Sequence, residues 1–349
     1  MKKIKITASV FLLSLSLFAC KQTEVETNND LGYKVANDQV TVYGREYKES
    51  ETYNFDTNVD ELEENDIDVI KNGIIPPYIE TKDNVKKMII QKDCRFVWRV
   101  DNSTYTPFFA NNLKGCKNLE RVEVEDGNDS LSSEDGILYK LGKDRKSIYA
   151  CPMKMQGVVK LPEKVDCIWA CAFYGCDQIT EVEISNSVRG IGNHAFGNMQ
   201  SCKSIKVMAD NPYYTSEDGV LYTKNKKILV AFPAGKKIEK FVIPEGVEYI
   251  SEGAFSCVEG VKEIIFPKSL KEICNYAFYS CKNIKTVKAR GNIKKIGAYA
   301  FFQTPTPPNM EIPRKKGKDN EESTEWRKIV DAKSVEKDSA WVHGYGFGE

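Results

Sequence analysis

Apolar positions recur along the middle of the chain in a fixed phase. The dipeptide Ala-Phe stands at Ala172-Phe173, Ala195-Phe196, Ala254-Phe255, Ala277-Phe278 and Ala300-Phe301. Three of the four spacings are 23 residues and the fourth is 59. Counted from each Phe, the same offsets stay apolar. Five residues before it are Ile168, Ile191, Ile250, Ile273 and Ile296, and eight before are Val165, Val188, Val247, Leu270 and Ile293. Nine after are Val182, Ile205, Ile264 and Val287. The run Ile179-x-x-Val182-x-Ile184 ends in a period of two, which predicts a strand with one face buried. A degenerate copy places Leu113 where the Phe would be, followed by Cys116, Leu119, Val122 and Val124, and a weaker trace is Val85, Met88 and Ile90.

A second unit interrupts the array twice. Glu134-Asp135-Gly136-Ile137-Leu138-Tyr139 returns 83 residues later as Glu217-Asp218-Gly219-Val220-Leu221-Tyr222. Each copy leads to a short apolar strand, Ser147–Ala150 or Ile228–Ala231. Asp-Gly beside β-type residues is hairpin chemistry.

A 23-residue unit cannot bury its own apolar face, whereas stacked copies turn each column into an internal ladder. The predicted fold is a repeat solenoid. It is mainly β, with a parallel strand ladder, short turns or helical pieces, and two hairpin-like insertions. Rungs of such a ladder lie about 4.8 Å apart. Pro162, Pro244 and Pro267 end strands, since proline brings no donor to a ladder. The array is expected over 81–304, where Pro305, Pro307 and Pro308 stop it. Residues 305–349, with Trp326, Ile329, Val330, Val335, Trp341 and Phe347, read as a C-terminal cap.

Before the array, Lys2, Lys3 and Lys5 precede an apolar run from Ile6 to Phe18, the proportions of a signal peptide over 1–19. Leu17-Phe18-Ala19-Cys20 resembles the bacterial lipobox, which implies a lipid on Cys20 and a membrane as partner through it. Residues 20–80 read as a tether holding a possible N-terminal cap, with a weak strand at Val40–Tyr43.

The consensus Cys-x-x-Ile-x-x-Val-x-Ile-Pro-x-x-Val-x-x-Ile-x-x-x-Ala-Phe resembles the BspA-like, treponemal-type leucine-rich repeat. The resemblance implies a non-enzymatic protein of the bacterial surface, lipid-anchored in the outer membrane. Its expected role is adhesion, that is, binding an extracellular protein or glycan. It brings no shared catalytic residues. A structural or accessory subunit of an envelope complex, for example one handling glycans, is the second expectation.

Composition narrows the chemistry further. Fifty basic and fifty acidic residues cancel, so no long-range field draws nucleic acid. With two histidines, His-based catalysis and His-rich metal sites have little to work with, and no pattern calls for a cofactor. His194 lies at a variable position without a diagnostic partner and is expected at the surface; His343 reads as structural. Ten cysteines follow Cys20, and Cys116, Cys176, Cys202 and Cys281 fall in core columns, where Cys packs as a small hydrophobe. Cys257 and Cys281 form the first pair to check for a bond.

The outward positions of the predicted strands are the candidate partner-binding residues. One row reads Glu123, Glu183, Lys206, Ile265, Lys288 and passes from acidic to basic; its neighbour reads Arg121, Glu181, Ser204, Glu263, Thr286. The charged members, Arg121, Glu123, Glu181, Glu183, Lys206, Glu263 and Lys288, are the candidate contacts.

Overall fold

The computed structural model describes residues 26–28, 33–36, 39–42, 85–94, 116–304 and 309–311. It is a β-solenoid of about seven turns spaced about 23 residues apart. Among the described residues there is no helix; each Ala-Phe sits in a run of turns. Cys20, the cap core from Trp326 to Phe347, His343 and Leu113 lie outside the described residues.

Every coil contributes one strand to a main ladder and a shorter one to a second ladder. The main ladder is built from Lys87–Ile90, Arg121–Val124, Gln156–Lys160, Gln178–Ile184, Ser204–Val207, Lys240–Val242, Glu263–Phe266, Thr286–Ala289 and Asn309–Glu311. Within each segment adjacent rungs pair in parallel, as Val182 with Ile205 and Ile264 with Val287. Gln39–Val42 pairs in parallel with Lys87–Ile90, and Tyr33–Ala36 and Glu26–Asn28 follow it antiparallel. The second ladder holds pairs such as Cys167–Ile168 with Gly190–Ile191 and Tyr249–Ile250 with Glu272–Ile273.

The apolar columns close the core as their phase requires. Val182, Ile205, Ile264 and Val287 are fully buried. The phenylalanines stack from rung to rung, with ring centroids 4.7 Å apart for Phe255–Phe278 and 4.9 Å for Phe278–Phe301. Alanine precedes them because the chain turns against its neighbour there: Phe255 donates to Ala277 O at 2.7 Å and Phe278 to Ala300 O at 2.7 Å.

Two further copies occupy the same column. Phe232 donates to Ala254 O, and Cys151 to Ala172 O, both at 2.8 Å. The 59-residue interval therefore contains one ordinary coil, from Phe232 to Phe255, and one long coil holding the hairpin.

The hairpins are septa inside the solenoid. Tyr214–Glu217 pairs antiparallel with Val220–Thr223, which pairs with Ile228–Ala231. Leu221 packs into the core on its N-terminal side while Val220 and Tyr222 pack into the next. In the first hairpin Leu138 faces one core, and Ile137 and Tyr139 the other. Both turns need positive φ at two successive residues, 51° and 80° at Asp135-Gly136 and 50° and 76° at Asp218-Gly219, which is why Asp-Gly stands there.

A buried asparagine anchors each hairpin to the coil before it. Asn211 Oδ1 accepts from the Tyr213 and Tyr214 amides, and its Nδ2 donates to Ser185 O and Val188 O, all between 2.8 and 2.9 Å. Asn128 repeats the arrangement with Ser130, Leu131, Gln91 and Cys94.

Candidate binding face

The outward side of the main ladder carries all seven candidate charges, and the strand register aligns them in two rows. One row runs Lys87, Arg121, then Val158, Glu181, Ser204, then Lys240, Glu263, Thr286. The other runs Ile89, Glu123, then Lys160, Glu183, Lys206, then Val242, Ile265, Lys288. The expected passage from acidic to basic is not what the register gives. Lys160 precedes Glu183 in the second row, so the charges alternate there, and each acid finds a cation one rung or one row away. Missing the coil at Cys151 hid Lys160 from the sequence reading.

The charges accordingly pair with one another. Lys206 Nζ lies 2.8 Å from Glu181 Oε1, and Lys160 Nζ 3.2 Å from Glu183 Oε2. Glu263 Oε1 sits between Lys240 at 3.6 Å and Lys288 at 3.5 Å. Arg121 and Lys87 both reach Glu123, each at 2.6 Å. The hydrogen bond from Lys206 to Glu181 raises the lysine pKa above its usual value. The pairs are solvent-facing and contribute little each, typically 0–1 kcal/mol. Their effect is to hold long side chains in register as a firm, neutral surface.

Two sequence expectations change in the structure. His194 is buried, not at the surface. Its ring fills space left opposite Gly253, where φ is +68° and an added Cβ would come within 2.3 Å of His194 Nδ1. The imidazole lies between Tyr174 and Tyr276, and its Nε2 is 3.8 Å from Glu252 Oε1. Burial raises the Glu252 carboxyl to about 7. Cys257 and Cys281, the pair considered for a bond, are both free thiols. Cys281 donates to Phe255 O at 2.9 Å, and the Cys257 sulfur lies 3.8 Å from the Tyr174 hydroxyl. Burial pushes the Cys202 thiol up to about 12 and Cys167 to about 11, so neither is a ready nucleophile. Among the described residues no three His, Cys, Asp or Glu side chains are placed to hold a metal ion.

The model of the BspA-type leucine-rich repeat region matches residues 146–228 and 229–321 with six copies, just over half of the chain. The chain belongs to the BspA-type leucine-rich repeat family. Solved structures agree on the fold. A leucine-rich repeat protein from Eubacterium ventriosum is 18% identical, with a TM-score of 0.52 over 81% of this chain and 70% of that one. The pneumococcal vaccine antigen PcpA is 15% identical, with a TM-score of 0.40 over 84% of this chain and 86% of that one. A leucine rich cell surface protein from Faecalibacterium prausnitzii is 14% identical, with a TM-score of 0.32 over 91% of this chain and 100% of that one. Comparison with curated proteins gives no match. Membership of this repeat family points to an interaction role and brings no catalytic constellation with it.

Proposed function

We propose that this BspA-type repeat protein is a non-enzymatic protein of the bacterial cell surface, held in the outer membrane by a lipid on Cys20. It binds an extracellular protein or glycan through the outward face of the main ladder, and adhesion is its role. The observation that carries the reading is that face itself. A laterally bonded ladder displays Arg121, Glu123, Glu181, Glu183, Lys206, Glu263 and Lys288 in two rows at a fixed rung spacing. Many modest contacts along such a surface add up without any of them being strong.

The test is a binding screen of the mature protein against matrix proteins and polysaccharides. It is followed by reversal of both members of neighbouring pairs, Glu181→Lys with Lys206→Glu and Lys160→Glu with Glu183→Lys, so that neutrality is kept while the pattern is inverted. A hit whose affinity ignores both double variants moves the site off this face. Protease treatment of intact cells reads exposure, and Cys20→Ser releases the protein from the membrane fraction if the anchor is real.

A further inference from the structure

Each septum interrupts the main ladder, and the two sides of the interruption differ. On the N-terminal side the hairpin uses the strand's amides: Ile205 donates to Gly219 O at 2.9 Å and Val207 to Ser216 Oγ at 3.1 Å. Val122 and Val124 do the same with Gly136 O and Ser133 Oγ, both at 2.9 Å.

The C-terminal side is left open. Leu161 donates to Glu183 O at 2.9 Å and Ile243 to Ile265 O at 3.0 Å, both toward the next rung. Alternation along a strand then turns the N–H and C=O groups of Val158, Lys160, Lys240 and Val242 into the interruption. None of these backbone groups has a hydrogen-bond partner outside its own ladder among the described residues. The adjoining apolar side chains are bare as well: Val158 is 51% exposed and Val242 40%.

The second interruption has a basic rim. Gly235 donates to Cys202 O at 2.8 Å, which brings Lys236 and Lys237 against Lys203. None of these three lysines forms an ion pair among the described residues; Lys236 bonds only the Asp218 carbonyl, at 2.6 Å. At the first interruption, by contrast, Arg121 and Lys160 are paired and the hairpin tip adds Glu134 and Asp135.

We propose that the open strand edge at Lys240–Val242 receives an extended acidic segment of a partner protein as an added β-strand. This rests on reading the main ladder as the binding face and names the mode and the chemistry of its occupant. Strand addition draws affinity from main-chain bonds and specificity from alternate side chains. Here a branched apolar residue would lie beside Val242, and carboxylates would face Lys203 and Lys237. A second copy of the same edge is disfavoured, because Lys240 and the unpaired lysines would meet their own kind.

The probe is a labelled octapeptide of alternating Glu and Val, titrated against the protein by fluorescence anisotropy. Saturable binding is expected. The same peptide N-methylated at alternate residues, and its Lys-Val counterpart, should each bind at least about tenfold more weakly. Val242→Pro removes an edge amide that the ladder does not use, so it should keep the circular dichroism spectrum and lose about tenfold in affinity, whereas Val158→Pro should not. Equal binding of the N-methylated peptide, or full affinity in a folded Val242→Pro protein, overturns the proposal. Should Val242→Pro not fold, the N-methylated peptide on the unaltered protein decides. If the acidic peptide fails while a macromolecular partner still responds to inversion of the Glu181–Lys206 pair, strand addition is wrong and the face reading stands.

Discussion

Phe278→Ala tests the stacking that holds the array. Phe278 is fully buried, and its ring is sandwiched between Phe255 at 4.7 Å and Phe301 at 4.9 Å, with Phe266 at 5.8 Å. Truncation removes contacts to both neighbouring coils and leaves a void that a rung-bonded backbone cannot collapse. Phe→Ala in such a core costs about 3–5 kcal/mol, and two stacked partners put Phe278 near the upper figure. Phe301 is the internal control. It stacks on Phe278 alone among the described residues and is 4% exposed, so Phe301→Ala should cost about 2 kcal/mol less. Because the septa divide the interior, global unfolding need not be a single step, and a local measurement is the sound one. Hydrogen exchange of the Val287 amide, one rung from Ile264 in the same core, reads the loss directly. A cost below about 1.5 kcal/mol at Phe278, or an equal cost at Phe301, would refute nearest-neighbour stacking as the source of stability.

Two further outcomes follow from buried polar groups. Asn211→Ala strands two amides and two carbonyls and should lower stability by about 2–4 kcal/mol, seen as a drop in Tm; Asn211→Asp, which cannot donate to Ser185 O and Val188 O, should do no better. Glu252 holds its proton more tightly when folded, at about 7 against an ordinary 4.5, so stability contributed by the protonated acid is complete at low pH and is lost as pH rises through about 7. The loss should be roughly 2–3 kcal/mol in urea midpoints compared across that window, and Glu252→Gln should flatten it.

The columns made the coil legible because a buried position admits only apolar side chains, and a stacked copy must repeat it in phase. What depends on which coil lies next to which was not legible. Ala231-Phe232 stands 23 residues before Phe255 and was readable as a copy; its apolar flank resembled a hairpin strand instead. Val220-Leu221-Tyr222 carries three apolar residues in succession, the signature of a strand buried on both faces, and that signal alone could have marked the septum. His194 could be placed only by knowing that Gly253, 59 residues on, lies opposite it. The outward charges were named correctly as a surface, yet their pairing needed Lys160, which belongs to the coil without a Phe.

The ion pairs and the interruptions together decide where on the face a partner gains most. On the regular rungs the cations are already engaged, Lys206 by Glu181, Lys160 by Glu183, Lys240 and Lys288 by Glu263. A ligand there must exchange one charged contact for another, and the net gain per contact is small. At the septa the hairpin has closed one side of the gap and left the other with free main-chain groups and an exposed valine. Nothing has to be displaced to bind there except water. The same 83-residue duplication that walls the core into compartments therefore builds two unequal docking edges, one with a mixed rim and one with unpaired lysines. Selectivity in this protein should reside in the rims of those edges, and the paired rungs between them should act as the spacer that fixes their separation.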